Sequence, residues 1–167
     1  WPHRLKGEGH FVALFGRIGE YIPRDVSSKS DEPLRSYREF CEQMLHESPR
    51  GIYRVIGSHV NIIPPGFEYN ANLKLVKTGL YAGEEMHGKF EPSQAFAMAT
   101  DWNNVKRKKG FSLDDPGLMR YLKGETLLSD GEKGFILLGV ESFPLGWGKI
   151  NNGQLRNLYP KGWRKAR

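Results

Sequence analysis

The sequence predicts an α+β protein of short elements, and three patterns carry that expectation. An amphipathic helix stands in the first third, two brief β runs follow it directly, and the remainder alternates short strands with helices of one or two turns. Strands interrupted by such short helices suit a small mixed barrel, whereas a doubly wound α/β sheet needs longer, regularly alternating units. At 167 residues, 38% hydrophobic and 26% charged, the chain is long enough to bury a core as one domain or two small ones.

The elements follow in order. Residues 10–15, HFVALF, read as a short buried strand ended by Gly16. A helix is signalled from Asp31 to His46: Ser30 can cap it, Asp31 and Glu32 suit its positive end, and Pro33 is tolerated in its first turn. Leu34, Tyr37, Phe40, Cys41, Met44 and Leu45 recur every three or four positions and form one buried stripe. Residues 52–56 and 59–63 read as two strands broken at Gly57, and Pro64-Pro65-Gly66 closes this first unit.

A second unit opens near Leu73. LKLVKTGLYAGEE carries β-formers in alternation and reads as a strand or hairpin arm. Pro92 opens a short helix over SQAFAMA, and Asp114-Asp115-Pro116 caps another, with Leu118, Tyr121 and Leu122 inward and Gly124 as its stop. Short strands follow at TLL, before Asp130-Gly131, and at FILLGVESF. The chain then ends in GWGKI and QLRNLY around the turn Asn151-Asn152-Gly153. No internal repeat or low-complexity segment interrupts this order.

Charge is distributed unevenly. Lys149, Arg156, Lys161, Arg164, Lys165 and Arg167 are the basic residues after Glu141, and no acid follows that position. Of the 25 Lys and Arg, the other 19 are balanced by 19 Asp and Glu, so the net charge of +6 belongs to residues 142–167. A one-sided basic end is an electrostatic footprint for polyanions. Trp147, Tyr159 and Trp163 lie among those charges, which speaks against a merely solvated tail, because disordered tails are poor in aromatics.

Several classes are disfavoured. No run approaches the roughly 20 apolar residues of a membrane span, and no basic-then-apolar leader is present. The single cysteine, Cys41, leaves no intramolecular disulfide and suits a reducing cytosol, so a cytoplasmic protein is expected; a monomer is expected as well. Gly7-Glu8-Gly9-His10 lacks the third glycine of a dinucleotide loop and precedes a strand where such a loop should follow one. Cys41 sits on the apolar stripe as a packed thiol would, with His46 on a different helical face. Histidines 3, 10, 46, 59 and 87 lack ligand spacing. The chain does not read as an enzyme, and neither a cofactor nor a metal is expected in it.

The final hairpin does carry chemistry. With Asn152-Gly153 as a two-residue turn, Asn151 faces Gln154 and Ile150 faces Leu155. Lys149 then stands opposite Arg156 and Trp147 opposite Leu158, on one face by period-two alternation. Like charges set across from each other are unfavourable unless an anion lies between them; a phosphate fills that role, and Trp147 offers a stacking surface. The other reading has both charges splayed into water and Trp147 in the core. A second cluster, Lys106-Arg107-Lys108-Lys109, is expected in a polar loop between helices.

Three segments together resemble the C-terminal half of the Sun/Nop-family RNA 5-methylcytosine methyltransferases, in particular its bacterial small-subunit rRNA branch. WPHRLKGEGHFVALF (1–15) looks like the last hairpin and strand of that family's catalytic domain. Gly79-Leu80-Tyr81-Ala82-Gly83-Glu84 and Lys89-Phe90-Glu91-Pro92-Ser93-Gln94-Ala95 are similar to the start of its PUA-like domain. Pro144 to Lys149, Gly153 to Asn157 and Tyr159 to Gly162 are similar to its ending, with Arg156 where a lysine is common and Trp163 where a leucine is common. The family's two catalytic cysteines, one after a proline and one in a threonine-cysteine motif, have no counterpart in Cys41, which lies between Phe40 and Glu42. The resemblance therefore implies S-adenosylmethionine chemistry for a parent protein and none for this piece.

The expectation that results is a trailing catalytic-domain strand over 1–20, an α+β linker domain over 21–72, and a PUA-like mixed β-barrel with short helices over 73–167. Its partners would be ribosomal RNA of the small subunit and its own catalytic domain. The candidate RNA contacts are Trp147, Lys149, Arg156, Asn157, Tyr159, Lys161, Arg164 and Lys165, with Lys106, Arg107, Lys108 and Lys109 as the second cluster. The rival expectation is a structural brace for the catalytic domain with little RNA contact.

Overall fold

The structure, a computed structural model, describes residues 30–64, 77 and 79–165. The strand expected over 10–15, the trailing segment 1–20 and residues 73–76 lie outside the described residues.

Helix α1 spans Arg35–Met44, shorter at its start than expected, and Leu34 at its N-cap makes no side-chain cap. Ser30 and Asp31 do other work. The Tyr53 N–H donates to Ser30 Oγ at 3.0 Å, and the Val55 N–H donates to the Asp31 carboxylate at 2.9 Å. The Asp31 N–H in turn donates to the Tyr53 carbonyl. These two residues thus pair along the open edge of a strand, satisfying backbone groups that would otherwise face water unpaired. The apolar stripe lies where its spacing placed it: Tyr37, Phe40, Cys41, Met44 and Leu45 are buried.

Strands β1 (Ile52–Ile56), β2 (His59–Ile63), β3 (Leu80–Met86) and β4 (Lys89–Pro92) form an antiparallel sheet in chain order. Because β2 pairs with β3, this sheet runs across the 72/73 position expected to separate two units. Helix α2 (Gln94–Ala99) follows, and Ser93, one residue after Pro92, caps it by accepting from the Phe96 N–H at 3.0 Å.

The second sheet contains β5 (Lys108–Phe111), β6 (Leu127–Leu128), β7 (Gly134–Val140), β8 (Phe143–Asn151) and β9 (Gln154–Asn157), in the order β5-β7-β8-β9-β6. Helix α3 (Pro116–Leu122) is capped by Asp115, which accepts from the Gly117 N–H at 2.7 Å. The four-basic segment is not simply a loop: Lys108 and Lys109 begin β5, which pairs parallel to β7. KKGF has neither alternation nor β-branched residues, so only a partner strand reveals it as an edge.

The core explains why FILLGV lacks polar alternation. Leu137 and Trp147 pack into a cluster with α1, β2, β3, β4 and α2. Leu138, Ile150 and Leu155 pack into another with Phe111, Leu118 and Tyr121. Strands β7 and β8 are thus covered on both faces, which calls for near-continuous apolar sequence. The fold is α+β, with few helices and two sheets, one of them curled as a half-barrel.

Candidate nucleic-acid interface

Hairpin β8–β9 turns at Asn152 and Gly153, whose φ values of 49° and 74° are the left-handed pair that a two-residue turn requires. The register follows directly: Asn151 opposes Gln154, Ile150 opposes Leu155, and Lys149 opposes Arg156. Lys149 and Arg156 therefore sit side by side, the arginine exposed and the lysine half-buried.

An anion does lie at this pair, and it is a protein group. The Lys149 ammonium donates to the Glu91 carboxylate on β4 at 3.3 Å and stands 4.3 Å from the Phe135 ring centroid. Arg156 has no side-chain partner among the described residues, so half of the charge pair is open to a ligand. Lys149 lies where several depressions meet. One, between the β3–β4 turn and the final hairpin, is lined by His87, Lys89, Glu91, Lys149, Arg156 and Leu158. Its neighbour is lined by Lys133, Gly134, Lys149, Asn151 and Arg156 among others. Lys89, Lys133, Lys149 and Arg156 thus form one basic tract bridging the two sheets. Lys89 opens β4 and Lys133 stands in the bend before β7, neither within a local basic pattern, and only the tertiary arrangement adds them to the tract.

Two of the expected contacts are corrected by burial. Trp147 is 2% exposed and its indole Nε1 donates to the Ser93 carbonyl at 2.9 Å, so it is a core residue without a free stacking face. Phe40 and Phe96 pack against it, with ring centroids 5.5 and 6.1 Å away. Asn157 is also buried. Its Nδ2 donates to the carbonyls of Tyr121 and Glu125 at 2.8 and 3.0 Å, and its Oδ1 accepts from the Tyr159 N–H, so its polar atoms hold the end of α3.

The remaining basics fall in two other places. Lys161, Arg164 and Lys165 follow the hairpin to the C-terminal end of α3, where the Lys165 N–H donates to the Leu122 carbonyl. The Arg164 guanidinium lies against Gly124 and donates to the Tyr159 carbonyl at 3.2 and 3.3 Å, while Lys161 and Lys165 are exposed. Tyr159 is half-buried against Tyr121, with the 57% exposed Trp163 on its other side. In the second cluster Lys106 donates to the Glu42 carbonyl and Lys108 to the Trp102 carbonyl, whereas Lys109 stands over Phe111. Arg107 donates to the carbonyls of Glu132 and Lys133, which places it beside the tract's Lys133.

Cys41 has no chemistry to offer here: it is buried, and burial pushes its thiol above the ordinary range. No described helix is long and apolar enough to cross a membrane.

Two family models match the chain, and together they cover most of it. Residues 39–100 match the model described as the RsmF rRNA methyltransferase first C-terminal domain. Residues 108–165 match that of the methyltransferase RsmF PUA domain. The junction between the two matches falls in the segment that leads from α2 and Trp102 into β5.

Proposed function

The chain belongs to the RsmF-like Sun/Nop methyltransferases as a C-terminal region, and from that premise we propose that it grips ribosomal RNA through the basic tract at the seam of its two sheets. The observation that carries this reading is the cross-strand pair Lys149–Arg156, set side by side at the groove and continued by Lys89 and Lys133. Cations in a row neutralise successive phosphates and fix the position of a strand without reading its sequence. In the parent protein this would present small-subunit rRNA to an upstream catalytic domain that uses S-adenosylmethionine to methylate cytosine. This region itself would hold no cofactor and perform no transfer. A cytoplasmic, monomeric protein fits that role.

The test is binding of a labelled oligoribonucleotide by the full chain and by Lys149→Ala/Arg156→Ala, followed by fluorescence anisotropy. Affinity should fall on the order of tenfold in the double variant while its melting temperature stays close to wild type, because the pair is partly exposed. Unchanged RNA affinity would move the region's role to bracing the catalytic domain.

A further inference from the structure

Among the described residues lining the groove between the β3–β4 turn and the final hairpin, Glu91 is the acid. The geometry points to Glu91 as the specificity-determining residue of this groove, admitting a phosphodiester chain and disfavouring isolated anions at Lys149. The inference rests on the RNA-binding reading of the same groove and adds to it what the groove selects.

Glu91 sits on β4 of the first sheet, whereas Lys149 and Arg156 sit on β8 and β9 of the second. Its carboxylate lies 3.3 Å from the Lys149 ammonium, with the two side chains 39% and 34% exposed. It therefore occupies the place a phosphate would take beside Lys149, and it relieves the repulsion between Lys149 and Arg156 in the unbound protein. A single phosphate arriving at Lys149 must displace a competitor that is tethered to the protein, and it meets a like charge while doing so. Displacement itself is feasible, since an ion pair this exposed holds weakly and Glu91 can turn into water. A strand reaches Arg156, Lys89 and Lys133 as well, so one displacement is offset by several new contacts. The groove thereby favours polymers over the far more numerous small anions.

Glu91→Gln keeps the shape and removes the charge. Two probes separate the outcomes: a labelled oligoribonucleotide, and inorganic phosphate added as competitor at constant ionic strength. For the wild type, the oligoribonucleotide should bind and phosphate should not compete. For Glu91→Gln, oligoribonucleotide affinity should rise about three- to fivefold, and phosphate should begin to compete. The dependence of log affinity on log salt should also steepen by up to about one unit as Lys149 loses its internal counterion. Glu91→Asp, with its carboxylate drawn back, should fall between the two. Weaker or unchanged RNA binding by a folded Glu91→Gln, with the wild type binding normally, overturns this inference alone and makes Glu91 a strut for Lys149. If neither protein binds the oligoribonucleotide, the RNA-binding reading fails and this inference with it.

Discussion

Trp147 and Lys149 share a face of β8, two residues apart, yet they end in different environments. Phe40 of α1 and Phe96 of α2 close over Trp147, while Lys149 lies beyond that cover at the groove. Trp147→Ala should therefore remove ~3–5 kcal/mol of stability, read from urea unfolding. Tight folding of that variant with loss of RNA affinity alone would restore Trp147 as a stacking platform. Asn157 makes a parallel case. Removing its carboxamide takes a donor from the Glu125 carbonyl, one of two donors from the Tyr121 carbonyl, which keeps the Gly124 N–H, and the acceptor of the Tyr159 N–H, so Asn157→Ala should cost about 1–3 kcal/mol. RNA affinity measured well below the melting transition should not change, because no polar atom of Asn157 faces the groove.

Among the elements, α3 has seven residues, too few for propensity to sustain it without its ends. Its start depends on the Asp115 carboxylate and its finish on Gly124, whose φ of +82° ends the helix in the left-handed region. Asp115→Ala should cost about 1 kcal/mol in thermal or urea unfolding. An effect well beyond 2 kcal/mol would mean that Asp115 does more than cap. Both features were legible locally, as were the limits of β1 and β2 and the register of the β8–β9 hairpin, each set by turn residues or by spacing. The start of α1 was not legible, because Ser30 and Asp31 are good caps that the edge of β1 takes for itself. The strand character of Lys108 and Lys109 was hidden for a similar reason: β5 exists through its pairing with β7, which sets Lys108 opposite Leu137, 29 residues further on.

At the scale of the molecule, one apolar cluster takes residues from α1, the first sheet, α2, and β7 and β8 of the second sheet. A core shared in this way ties the two sheets together. Unfolding of residues 30–165 should consequently follow one transition, with Trp fluorescence and far-UV circular dichroism coinciding. Two separated transitions would show that the sheets fold independently. The basic tract crosses the same seam, so RNA binding requires both sheets to be in place. With Lys89, Lys133, Lys149 and Arg156 each meeting a phosphate, log affinity for single-stranded RNA should fall against log salt with a slope near about −3. A flat response would mean that the tract does not contact phosphates.

The sequence by itself determined the α+β class, the buried stripe of α1, the capped start of α3 and the pairing of Lys149 with Arg156. Each of these is decided within a few neighbouring residues, by periodicity, caps and a two-residue turn. Tertiary structure decided which residues have access to a ligand. It buried Trp147 and Asn157, brought Lys89 and Lys133 to the hairpin, and set Glu91 against Lys149 across 58 residues of chain. Exposure and charge pairing depend on what packs from distant elements, and no local pattern encodes that.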